Sequence, residues 1–232
     1  MKRRILVTAL VLFAPSLLFA QIHDQGNYSD TLRGEVWIEF EPIYGGFIDE
    51  KYPLDMRTAA LRALEESAMF FSAMIYGWSF YYDIGERARG IEENFELTPV
   101  AMIPFGDPGL RVTEVEVKNM AIRMWADYHL TEAQQRRLAV WRTGNIRNAQ
   151  AVGYWLPGQP STWLEVKKTA MEDAARAAVR AMLQGSERNR PKEARGFISL
   201  ASFPNYYVDA GRWAASARFR VEITEIIPFA VY

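Results

Sequence analysis

Residues 212–224 read Arg-Trp-Ala-Ala-Ser-Ala-Arg-Phe-Arg-Val-Glu-Ile-Thr, and the architecture follows from this stretch. Trp213, Ala215, Ala217, Phe219, Val221 and Ile223 fall on one side, while Arg212, Ser216, Arg218, Arg220, Glu222 and Thr224 fall on the other. Successive side chains of a strand point to opposite faces, so the pattern is a strand with one face in the core and one in water. A sheet built on it has an apolar face that a second layer must cover.

Two long segments with helical spacing can form that layer. After Pro53, the residues Leu54, Leu61, Leu64, Ala68, Phe71 and Ile75 recur at helical intervals, Asp55 stands at the N-cap, and Gly77 follows the last turn. Ser67 to Tyr82 carries no charge but is bounded by Glu65, Glu66 and Asp83. It is too short to span a bilayer and reads as buried core. Because Met69, Phe70, Phe71, Met74 and Ile75 make this helix apolar nearly all round, burial between layers or subunits is expected. A second helix is expected from Thr162 to Gln184, capped by Ser161 and stopped by Gly185. Its stripe of Ala170, Ala174, Ala177, Ala178 and Ala181 permits close approach to a sheet.

Further strands are expected at Glu35–Glu41, at 91–103 and 110–125 as a hairpin turning through 104–109, at 149–156 and at 196–203. Thr131-Glu132-Ala133-Gln134 matches a capping box opening a short helix to about Trp141. The fold class expected is α+β, two helix-plus-antiparallel-sheet units with a short connecting helix. The first unit covers 34–141, the linker 142–148 and the second unit 149–232, and the two can pack as one domain. Ala73-Met74-Ile75-Tyr76-Gly77 followed by Ala88-Arg89-Gly90-Ile91 parallels Ala181-Met182-Leu183-Gln184-Gly185 followed by Ala194-Arg195-Gly196-Phe197, which suggests an internal duplication.

Residues 1–20 bear on the compartment. Lys2-Arg3-Arg4, the uncharged run Ile5–Ala14 and the terminal Ala20 have the form of a secretory signal peptide, cleaved after Ala20 and too short to remain as a span. The polar segment 21–33 is expected to be a flexible N-terminus, and no transmembrane span is expected in the mature chain. The expected location is the periplasm, or outside the cell. The chain has no cysteine, so lipid attachment at cysteine, disulfides and thiolate chemistry are not expected.

The 27 basic and 28 acidic residues balance, and loss of Lys2, Arg3 and Arg4 tips the mature chain acidic, so nucleic-acid binding is not expected. No dinucleotide, phosphate-loop, zinc-protease, nucleophile-elbow or EF-hand motif occurs. With His23 and His129 the only histidines, no metal, cofactor or catalytic residue is assigned. The carboxylates Glu35, Glu39, Glu41, Glu114 and Glu116 read as solvated strand faces. Among aromatics, Tyr76, Trp78, Phe80, Tyr81 and Tyr82 read as core, whereas Tyr154, Trp155, Tyr206 and Tyr207, beside Pro and Gly, are the binding candidates. The functional expectation is a non-enzymatic exported protein that binds or scaffolds envelope components, with a cell-wall glycan binder or glycan-cleaving protein as the alternative. An envelope protein or a cell-wall glycan is the expected partner, with oligomerisation left open.

Overall fold

The computed structural model describes residues 30–41, 51–86, 89–155, 162–186 and 191–228. The leader, residues 21–29 of the expected flexible terminus, Ser161 and the final residues 229–232 lie outside these. The protein is a mixed α+β structure of three helices and two antiparallel sheets, with strand dominating.

The chain runs β1 (Thr31–Glu39), α1 (Met56–Ile75), β2 (Trp78–Asp83), β3 (Asn94–Pro99), β4 (Leu110–Lys118), β5 (Ala121–His129) and α2 (Glu132–Val140). It continues through β6 (Arg147–Tyr154), α3 (Trp163–Ser186), β7 (Pro191–Leu200), β8 (Asn205–Asp209) and β9 (Arg212–Pro228). A small sheet has the order β1-β5-β4. A large one has the order β3-β2-β7-β9-β6, with β8 also on β9.

β9, the strand with the clearest alternation, is the 17-residue spine of the large sheet. One edge pairs with β6, and the other pairs first with β8 and then with β7. Helix α1 lies between the sheets, packing on β1 and β5 of the small one and on β7 of the large one. That position explains its nearly unbroken burial from Phe70 to Ile75 and agrees with a helix apolar all round. Helix α3 covers β6 and β9. Its alanines permit this: a Cβ on Gly153 of β6 would lie 1.9 Å from the Ala174 nitrogen, so helix and strand backbones are in direct contact.

Local signals match the structure at the ends of α1 and α2, whereas α3 runs through Gly185, the expected stop, to Ser186. The Asp55 side chain accepts from the Thr58 N–H at 2.9 Å. At the other end of α1, Gly77 has φ +67, and a Cβ there would meet the Ile198 carbonyl at 2.4 Å. Thr131 and Gln134 form a reciprocal capping box on α2. The buried Gln134 amide then donates to the hydroxyls of Tyr76 and Tyr128, at 2.9 and 2.8 Å, docking α2 between the end of α1 and β5.

Three pairings differ from the sequence expectation. Segments 91–103 and 110–125 are not partners across 104–109, because β3 pairs with β2 and β4 with β5. The connector instead crosses from the large sheet to the small one. The second segment is broken by Asn119 and Met120, both at positive φ as a two-residue hairpin turn requires, although no glycine announces the turn. β1 also starts at Thr31, with Thr31–Arg33 paired to Asp127–His129, inside the segment expected to be a flexible terminus. The first half of the chain therefore contributes to both sheets, and β2 pairs directly with β7 of the second half.

Candidate functional site

The densest polar arrangement in the core joins four elements. Lys167 of α3 donates from Nζ to both carboxylate oxygens of Glu66 on α1, at 2.9 and 2.8 Å, and to the Trp37 carbonyl of β1 at 3.2 Å. The rings of Trp163, Trp37 and Tyr206 surround the ammonium at 4.6, 5.0 and 5.2 Å from their centroids. The Tyr206 hydroxyl donates to the Lys167 carbonyl at 3.0 Å. Burial pushes the Glu66 carboxyl up and the Lys167 ammonium down from their ordinary values, while their mutual attraction opposes both shifts. All three N–H bonds of Lys167 are committed and the side chain is closed to solvent. The arrangement fixes α1 against α3 and does not present a nucleophile.

One residue beyond each partner of this pair lies the mouth of a cavity. Glu65 on α1 and Lys168 on α3 are exposed, and behind them opens about 470 Å³ between the two helices, the start of β2 and the 99–105 connector. Its walls are mainly Met69, Trp78, Met102, Phe105, Leu164 and Met171. Ser72 is polar but already used, donating to the Ala68 carbonyl at 2.6 Å and accepting from the Ile103 N–H at 2.8 Å. That second bond holds the connector as a cavity wall. The interior thus favours apolar matter, with one acid and one base at the rim. Met102 and Phe105, 63% and 68% exposed, continue the apolar surface outward.

The four aromatic binding candidates separate. Tyr206 lies in β8, 5% exposed and inward-facing, so it belongs to the Lys167 cage and not to the surface. A strand of five residues between Pro204 and Gly211 is too short to show its alternation, and a loop was the sequence expectation there. Tyr207 faces out from the same strand, and Tyr154 faces out from β6 with its hydroxyl 3.2 Å from Asp209 Oδ2. Trp155 is half-buried against the core. The cluster from Tyr76 to Tyr82 divides as a strand should, with Trp78, Phe80 and Tyr82 buried and Tyr81 outward. Glu66, Lys167 and the apolar cavity escaped the sequence reading, and the pair is separated by 101 residues.

Three of the remaining acid-base candidates, His129, Glu35 and Glu114, have structural partners. His129 Nδ1 lies 3.0 Å from Thr31 Oγ1 across β1 and β5. Glu35 and Glu114 meet Arg123 and Arg33 at 3.2 and 3.5 Å. Among the described residues no cluster of three metal-ligating side chains occurs. Nor is any described helix long and apolar enough to cross a membrane.

Fold and site together define a mixed α+β protein with an apolar cavity between its two long helices. A family model matches residues 21–229, and the chain belongs to that family. It is 27% identical over 203 residues, 87% of this chain and 83% of the other, to an uncharacterized protein of Treponema pallidum (strain Nichols). No solved structure matches it significantly.

Proposed function

We propose that this protein is exported, with residues 1–20 removed as a signal peptide, and acts in the periplasm without catalysis by binding an amphiphilic envelope component through its apolar part. The observation that carries the reading is the cavity of about 470 Å³ between α1 and α3, whose walls are apolar and whose charges stand at the mouth. That volume falls in the usual range of about 300 to 1,000 Å³ for small-molecule sites. Met69, Met102 and Met171 give the walls adaptable side chains, suited to a flexible chain more than to a rigid ring system. Support for export comes from the basic, apolar and small-residue succession of the leader.

The test is titration of the protein with N-phenyl-1-naphthylamine followed by displacement with a long-chain fatty acid and with a phospholipid. Saturable fluorescence enhancement, displaced by an amphiphile and abolished in Leu164→Glu, is expected. Absence of saturable enhancement, or an unaltered response in Leu164→Glu, overturns the binding. Cell fractionation with mass measurement of the N-terminus checks export, and full-length protein in the cytosol overturns it.

A further inference from the structure

The large sheet has a second face, turned away from the helices, whose residues the cavity does not use. On this face Ala214 of β9 is the register partner of Tyr154 on one side and of Tyr207 on the other. Two residues along, Ser216 lies between Val152 and Asn205, and two further, Arg218 lies beside Gln150. Small residues on the middle strand between taller side chains make a trough about 7 Å long from Ser216 to Arg218, at about 3.4 Å per residue, closed at the other end, where Ala214 is fully buried and the Tyr154 hydroxyl reaches across to Asp209 on β8. At the Arg218 end it deepens into a cavity of about 230 Å³ lined by Gln150, Ser202, Phe203, Asn205, Ser216 and Arg218.

We propose that this trough is a second binding site, for a carboxylate-bearing oligosaccharide. The Phe203 ring packs against Phe70 and Phe71 of α1, and the polar side chains at the deep end supply two amides, two hydroxyls and a guanidinium. These are the donors and acceptors that hydroxyl-rich rings require, and they have no other polar side-chain partner among the described residues. Tyr207, 36% exposed on the adjoining strand, offers its ring to the apolar face of a sugar. The partner ring, Tyr154, is held from above by the Arg212 guanidinium at 4.4 Å and at its hydroxyl by Asp209.

Charge selects the acidic ligand. Arg218 has no ion-pair partner among the described residues, and Arg220, next on the same face, donates to the Leu200 and Ala201 carbonyls at 3.3 and 3.5 Å, which leaves its charge uncompensated. Burial, and after it the nearby positive charge of Arg142, hold the Arg220 guanidinium below its ordinary value. A ring carboxylate placed against Arg218 would accept two parallel N–H bonds. This site is independent of the α1–α3 cavity and stands or falls without it.

The experiment is calorimetric titration of the full chain with tetragalacturonate and, separately, with neutral maltotetraose. Saturable binding of the acidic sugar, weakening as salt is added, is expected. Arg218→Glu should weaken it by at least about tenfold and Tyr207→Ala by about three- to tenfold, while Leu164→Glu leaves it unchanged. Arg218→Gln replaces Arg218→Glu should the latter lose its cooperative melt. No saturable binding, equal affinity for the neutral sugar, or unchanged affinity in the Arg218 variant overturns the proposal.

Discussion

Replacing Lys167 with methionine removes one charge from the buried pair while nearly keeping its volume, so Glu66 is left in a site only 2% exposed. In the native protein the Lys167 charge and its hydrogen bonds are what oppose the effect of burial on Glu66. Without them the folded protein must hold that carboxyl protonated, whereas the unfolded chain releases the proton near the ordinary value of 4.5. The folded-state value is raised, so stability is intact below 4.5 and falls as pH rises toward the folded value. Each pH unit in that window costs about 1.4 kcal/mol. Lys167→Met should therefore be destabilised more at pH 7.5 than at pH 5.5, the full loss falling in the range of about 3 to 5 kcal/mol for broken buried pairs. Loss of the contacts to Trp37, Trp163 and Tyr206 adds a part that does not vary with pH. The double variant Glu66→Leu/Lys167→Met leaves no stranded charge and should recover most of the loss and lose the added pH dependence. Urea unfolding of native, single and double variants at both pH values measures this. An equal loss for the single variant at both pH values refutes the reasoning, as does a double variant no more stable than the single at pH 7.5.

Other consequences are simpler to measure. Gly153→Val places a side chain where the Ala174 backbone already sits 1.9 Å from the Cβ position, so α3 must leave β6 and the loss should exceed about 3 kcal/mol, seen as a missing cooperative melt. Thr131→Ala removes the cap on α2 and should cost about 1 kcal/mol, lowering the melting temperature by about 2 to 4 °C. Trp141→Phe deletes the indole donor to the Ile75 carbonyl, a 3.0 Å bond in the core, and should cost about 1 to 3 kcal/mol in urea unfolding.

The cavity and the buried pair bear differently on evolution of the site. The pair lies one residue behind each charged lip, so substitutions at Glu65 or Lys168 alter the rim without touching the contact that sets the helix spacing. The exposed Lys168 has only a loose partner, Glu172 at 3.8 Å.

What was legible in the residues was local. Asp55 with Thr58, Thr131 with Gln134, Gly77 after α1 and the alternation of β9 act within a few positions, through capping bonds, backbone conformation and the two-residue period of a strand. Composition likewise pointed to a layered α+β body, since an apolar helix and a one-sided strand each need covering. Tertiary structure decided which strands pair, because several apolar strands of similar length compete for the same edges and backbone bonding does not distinguish them. It sent the 104–109 connector between sheets, joined β2 to β7 and turned Tyr206 inward. Above all it brought Glu66 to Lys167 across 101 residues, a meeting set by how helices and sheets share one core and by nothing in the neighbours of either residue.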